Sequence, residues 1–278
     1  MSATIPGPVG PGTQPGDEDG AELSYMEMPK GMRTYSAPSM PEPDEVEDIA
    51  SALAVLHAVS AALARGQAGS FDLTALNSAN RDFVDQLLGE GEVSVIAGSA
   101  VQAQESVLAG VWRVHEVDAD GQLMRDTIEV GTFPRAVLSI AAAAARPSLS
   151  RHDGALPADV YNAPALVTEI EDRLAAFEPG APAHVINLSL LPLTEGDVAF
   201  LDSRLTKGPV TVLSRGYGNC RITSTGTCNA WWVQYFNSRE VLILNTIEVT
   251  DVPSVACAAP EDLEDSAQRL AEILEVYR

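Results

Sequence analysis

Cations are scarce in this chain: Lys and Arg number 17 against 39 Asp and Glu, a formal net charge of -22 over 278 residues. Such a surface repels a phosphate backbone, which excludes nucleic acid as a partner. It suits solubility, and it also allows attraction to a basic segment of another protein. Cysteine is nearly absent. Cys220, Cys228 and Cys257 are odd in number and include no CxxC pair, so they do not read as a disulfide framework. No apolar run is as long as a membrane span, the alanine-rich Ile140–Ala145 included. Residues 1–19 lack the basic start and apolar core of a secretory signal, so the expected compartment is the cytoplasm. Missing too are GxSxG, HExxH, a Walker loop and a dinucleotide fingerprint. No catalytic residue, metal ligand or cofactor is therefore assigned, and the chain reads as a non-enzyme.

What is present is repetition. Thr127-Ile128-Glu129-Val130 recurs as Thr246-Ile247-Glu248-Val249. Phe83, Asp85, Leu88, Gly91, Val93 and Val95 match Phe200, Asp202, Leu205, Gly208, Val210 and Val212 at an offset of 117. Trp112, Val114 and Pro134 match Trp231, Val233 and Pro253 at an offset of 119. The chain reads as a duplicated module with two extra residues between Val212 and Trp231 of the second copy. What the copies share belongs to the fold, and what one copy alone carries is a candidate site.

The repeat divides the chain into a Pro/Gly-rich segment at 1–44, a first lobe at 45–146, a linker at 147–160 and a second lobe at 161–278. Tyr25-Met26-Glu27-Met28-Pro29-Lys30-Gly31-Met32-Arg33-Thr34-Tyr35 stands out in the first segment, either as a strap on its own domain or as a docking peptide. Ile49, Leu53, Leu56 and Val59 predict a helix over 44–65, and Val167, Ile170, Leu174 and Phe177 its counterpart over 165–177. Short strands follow at 70–73 and 184–190. Second helices start at Asn77 and at Thr194, the latter with a capping box closed by Asp197. Three strands per copy come next, at 92–96, 106–117 and 124–130, then at 210–213, 230–236 and 241–249. Asp118–Gly121 and Asn237–Arg239 turn the hairpins. A helix over 260–277, striped by Leu263, Leu270, Ile273, Leu274 and Tyr277, ends the chain. The class is α+β: an α-β-α-β-β-β module twice over, in mainly antiparallel sheets with helices packed on one face.

The copies diverge most between Ser214 and Trp232. Arg215-Gly216-Tyr217-Gly218-Asn219-Cys220-Arg221 stands where the first copy has the bland 97–105. Glycines beside Tyr217 permit close backbone approach, and two arginines mark a positive feature in an acidic chain. Four readings compete here. One is a hairpin turn held by an Arg–carboxylate pair, with Trp231 in the core. A second is a metal site, but Cys220 and Cys228 lack two further soft ligands nearby, and His57, His115, His152 and His184 are scattered. A third is a nucleophilic Cys220 favoured by Arg215 and Arg221, although no base is evident. The last is a recognition surface anchored by Tyr217, Trp232 and Tyr235.

The stretch from Leu213 through Arg221-Ile222, then Trp231-Trp232-Val233-Gln234-Tyr235-Phe236-Asn237-Ser238 and Ile243–Val249, resembles the HupH/HyaF family of hydrogenase accessory proteins. Val252-Pro253, Glu261-Asp262 and the early Met28-Pro29-x-x-Met32 fit as well. The resemblance implies a chaperone in maturation of an uptake nickel–iron hydrogenase, holding the iron–sulfur small-subunit precursor before export. It also implies thioredoxin-like and rubredoxin-like accessory proteins as partners. The family brings no catalytic residue with it. The candidate partner-binding set is Arg215, Gly216, Tyr217, Gly218, Asn219, Cys220, Arg221, Trp232, Tyr235, Asn237 and Glu248. The alternatives are a thiol- or metal-handling enzyme acting on the cluster or its ligands, and a scaffold bridging other accessory proteins.

Overall fold

The computed structural model describes residues 49–216 and 218–277. The Met/Tyr segment within 1–44 and the start of the first predicted helix lie outside the described residues. The elements run α1 (Ala50–Ala64), β1 (Gly69–Asp72), α2 (Ser78–Leu88), β2 (Val93–Ala97), β3 (Val101–Glu105), β4 (Val111–Val117), β5 (Leu123–Val130) and α3 (Arg135–Ala144). They continue as α4 (Ala163–Ala175), β6 (His184–Asn187), α5 (Glu195–Leu205), β7 (Lys207–Ser214), β8 (Asn219–Thr225), β9 (Ala230–Phe236), β10 (Leu242–Val249) and α6 (Pro260–Glu275). Short 3-10 turns occupy Leu188–Leu190 and Ser254–Ala256.

All ten strands join one sheet in the order β1-β5-β4-β3-β2-β7-β8-β9-β10-β6, and every named strand pair is antiparallel. The two halves meet where β2 pairs with β7, Val95 opposite Val212. The α+β class and the antiparallel sheet agree with the sequence reading, but each half contains four strands after its second helix, not three. β3 and β8 occupy segments that read as loop. Their alternation is plain in retrospect: Val101, Ala103, Cys220 and Ile222 point into one core while Gln102 and Arg221 point away. The predicted strand at 184–190 stops at Asn187, whose side chain accepts from the Ser189 amide and opens the 3-10 turn. Lys207 and Gly208, read as a helix end, already belong to β7.

Alternation along the strands separates two faces. On the front, Val111 and Ile128 pack against α1, α2 and α6, while Ile247 and Ile186 pack against α4 and α5. On the back, Val95, Trp112, Val114, Val212, Ile222 and Trp231 form the central core. That core is covered by α3 and by the strap 252–257. The expectation of helices on one face thus holds for five helices and fails for α3. The physical cause is Glu129: its carboxylate points backward from β5 and accepts from the Arg135 amide at 2.6 Å and the Ala136 amide at 3.4 Å. It supplies the N-terminal cap that neither Pro134 nor Thr132 gives, and its charge complements the helix dipole.

In α1 the buried stripe is Ala52, Leu56, Val59 and Leu63, with Ile49 and Leu53 at its margin. Asn77 and Thr194 cap their helices as read, and Asp197 closes the capping box. Residues 147–160 are docked along α5: the Ser150 amide donates to Arg204 O, its hydroxyl reaches Ser203 O, and the Arg204 guanidinium donates to Ser150 O. Among the described residues no helix is long and apolar enough to cross a membrane.

Candidate functional site

The divergent stretch is a tight turn followed by an inner strand. Ala97 pairs with Val101 across the first hairpin and Ser214 with Cys220 across the second. The two extra residues of the second half therefore lie between Ser214 and Cys220, in the turn itself. There the Arg215 amide donates to Glu92 O at 3.2 Å. A side chain at Gly216 would collide with the Glu92 carboxylate, and Gly218 takes φ 101°. The Glu92 side chain can swing aside, so the backbone requirement for glycine is the positive φ at Gly218. Tyr217 lies outside the described residues. Asn219 pairs with Phe236, which brings the Asn237 turn to the same end of the sheet. Asn237 shapes its own turn, accepting at Oδ1 from the Arg239 and Val241 amides.

Beyond the turn, the candidate residues part to opposite faces. Arg221 and Trp232 are on the front. The Arg221 guanidinium lies 5.6 Å from the Phe236 ring centre. Trp232 Nε1 donates to Asn245 Oδ1. At the matching positions of the first half, Arg113 grips Asp126 through two hydrogen bonds of 2.6 and 2.7 Å. The second half thus has a neutral, aromatic pair where the first has a charged one.

Cys220, Tyr235 and Glu248 gather on the back. Cys220 is 3% exposed and takes the place that Val101 has in the first half. Burial pushes its thiol up to about 12, with Glu248 adding to the rise and a hydrogen bond with Tyr235 opposing it. Tyr235 is likewise raised to about 12, first by burial and then by Cys220 and Glu248. The Glu248 carboxyl is raised by burial and accepts from Thr246 Oγ1 at 3.3 Å. Glu248 differs in its work from Glu129, because the chain after Pro253 forms a 3-10 turn in place of a helix. The thiolate is the reactive form of cysteine, and Cys220 holds its proton far above neutral pH. Cys257, pushed to about 11 by burial with Glu105 contributing, does the same.

The ten described candidates accordingly form a turn region at one end of the sheet, a front pair and a back cluster of buried Cys220 with half-buried Tyr235 and Glu248. Among the described residues no group of three or more His, Cys, Asp or Glu side chains is placed to hold a metal ion. Two features escaped the sequence reading. One is an exposed apolar stretch where the 3-10 turn after β6 meets β10, with Leu190 80% exposed and Val241 and Ile243 exposed as well. The other is a cavity of about 240 Å³ between α3 and the β8–β9 turn. The alanines of 140–145 were its only signal, and they read as a short apolar run.

The model of the HupH hydrogenase expression protein, C-terminal conserved region, matches residues 47–153 and 160–277. The chain is 47% identical over 272 residues to the hydrogenase expression/formation protein HoxQ of Cupriavidus necator, covering 96% of this chain and 94% of that protein. It is 50% identical over 281 residues to the hydrogenase expression/formation protein HupH of Rhodobacter capsulatus, covering 97% and 96%. It is 32% identical over 283 residues to the hydrogenase-1 operon protein HyaF of Escherichia coli, covering 98% and 96%. A solved structure, the hydrogenase expression protein HupH from Thiobacillus denitrificans ATCC 25259, is 32% identical with a TM-score of 0.37, over 41% of this chain and 93% of that one.

Proposed function

This chain belongs to the HupH hydrogenase expression protein family, and from that premise we propose that it is an accessory chaperone that binds the iron–sulfur small-subunit precursor of an uptake nickel–iron hydrogenase before export. A role in hydrogenase expression and formation is the coarser statement, and it rests on near-full-length similarity to relatives bearing that name. The observation that favours a holding role over chemistry on the client is the state of Cys220. The most suggestive thiol in the divergent stretch is packed in the core at a valine position and keeps its proton. Exposed apolar side chains at the β6–β10 corner, Leu190 and Ile243 among them, suit contact with an unfinished protein. The acidic balance suits a client segment that carries cations.

Thioredoxin-like and rubredoxin-like accessory proteins complete the proposed set of partners, and the cytoplasm is the proposed place of action. The test is affinity purification of the tagged chain from hydrogenase-expressing cells, with mass spectrometry of what co-elutes. Uncleaved small-subunit precursor is the expected result. Accessory proteins without precursor would replace the chaperone reading with a scaffold, and bound iron without precursor would replace it with cluster handling.

A further inference from the structure

The halves differ in length at a second place, the connection from first strand to second helix. Four residues, 73–76, stand between β1 and the N-cap Asn77, and six, 188–193, between β6 and the N-cap Thr194. Hydrogen bonds locate the extra pair. The Asp126 amide donates to Thr74 Oγ1 at 3.0 Å, and the Asn245 amide, at the matching position, donates to Ser189 Oγ at 2.8 Å. Leu73 and Leu188, just before those hydroxyls, are both buried. Leu76 and Leu193, at the far ends, each pack against the front cluster of their own half. Ser189 and Leu193 thus enclose Leu190-Leu191-Pro192 where Thr74 and Leu76 enclose Ala75 alone.

An insertion that served the fold would bury its leucines. This one turns them outward, Leu190 80% exposed and Leu191 38%. Its neighbours extend the apolar surface on both sides. Ile243, exposed, lies two residues before Asn245, and the exposed Tyr161 adjoins Asn162, whose Nδ2 donates to Pro192 O at 2.8 Å. β10 has also lost charge here, with Leu244-Asn245 in place of Arg125-Asp126. The band has one charged margin. The Asp159 carboxylate lies against Gly196, beside Glu195 in the first turn of α5. Both acids are exposed, and neither belongs to a described ion pair. Glu195 stands where the first half has Ser78. At the other margin Arg239 and Glu240 offset each other in the β9–β10 turn. A second copy of this chain, with its net charge of -22, is repelled by such a surface.

We propose that this band docks an unfolded segment of the precursor in which apolar side chains adjoin a lysine or arginine. The apolar groups cover Leu190, Leu191 and Ile243, and the cation meets Asp159 and Glu195. The proposal rests on the chaperone reading above and locates its contact. Burial of the leucines supplies affinity, and the carboxylates set the direction in which the segment lies.

The test uses the full chain co-expressed with the small-subunit precursor. Deleting Leu190 and Leu191 leaves the four-residue connection that the first half already uses, so the melting temperature should stay near that of the wild type. Precursor recovery should fall about tenfold or more, the effect of losing central apolar contacts. Leu190→Ser with Leu191→Ser, at exposed positions, should do the same without shortening the chain. Asp159→Asn with Glu195→Gln should lower recovery less and remove most of its dependence on salt. Equal recovery by the wild type and the serine variant would overturn the docking band and leave the chaperone reading standing. A wild-type chain that recovers no precursor would overturn the chaperone reading, and the band with it. A wild-type dimer that the serine variant dissociates would assign the band to a second copy and overturn the proposal as well.

Discussion

Glu105 ends β3 on the back face with 8% of its surface exposed, and its carboxylate accepts from the Gly110 amide at 3.1 Å. Burial raises its carboxyl to about 7 against the Gly110 hydrogen bond, with Glu92 and Asp262 adding to the rise. The folded state therefore binds a proton that the unfolded chain, at the ordinary value of 4.5, has released. Its contribution to stability is whole below pH 4.5 and is lost as pH rises through 7. The difference corresponds to roughly 3 kcal/mol once Glu105 is fully ionised. Urea unfolding at pH 5.5 and 8.5 should show the wild type weaker at the higher pH, and Glu105→Gln should close most of that gap. Cys220 offers a second measurement at this scale. Cys220→Val, which restores the side chain of the matching Val101, should cost under about 1.5 kcal/mol. Cys220→Ser, which buries a hydroxyl in that site, should cost about 1–3 kcal/mol. In the native protein at pH 8, iodoacetamide should leave Cys220 unmodified and alkylate it on unfolding; rapid native labelling would contradict the buried, protonated thiol described above.

Among the elements, the α4–α5 corner turns on one carboxylate. Asp197 Oδ1 accepts from the Tyr161, Asn162 and Ala163 amides, and Oδ2 accepts from Thr194 N. It closes the start of one helix and caps another, and these amides hold its carboxyl down at about 2 against the cost of burial. Asp197→Ala leaves several amide donors unmet and should destabilise by about 2–4 kcal/mol, read as a lowered urea midpoint. Half of this arrangement was legible, since Thr194 and Asp197 announce a capping box at short range. The other half, three amides some 35 residues earlier, is tertiary and leaves no local mark. The same division runs through the fold. Asn77 and the apolar periodicity of α4 could be read directly. α3 could not, because a run of alanines has no face and its cap comes from Glu129 on a strand. β3 and β8 were hidden by their small and polar residues, although period-two alternation was there to be counted. The candidate site suffered from that error: once Asn219–Thr225 is a strand, neighbouring residues must face opposite ways, so Cys220 and Arg221 cannot share a surface.

For the whole molecule, the sequence reading divides the chain into lobes at 45–146 and 161–278, and the described residues bind those lengths together in three ways. β2 and β7 run side by side through five register pairs at the centre of the sheet. The back core draws Val95 and Trp112 from one half and Val212 and Trp231 from the other. α6, at the end of the second length, inserts Leu270 and Leu274 into the cluster formed by Leu56, Val59, Phe83 and Ile128 of the first. A fragment ending at 146 would expose the β2 edge and the α6 seat together, and an unpaired apolar edge invites aggregation. Each length expressed alone should therefore be insoluble or lack a cooperative unfolding transition. The two expressed together, with 147–160 kept on one of them because Leu149 and Val160 belong to the front core, should recover a soluble complex, since the interactions between them are noncovalent. Truncation after Ala259 isolates the contribution of α6. Leu270 and Leu274 are each fully buried, worth about 1.5–3 kcal/mol apiece, so their joint loss is comparable with a typical domain's entire stability. A 1–259 chain with native circular dichroism and a wild-type melting temperature would show that the first half stands without the helix that the second half lends it.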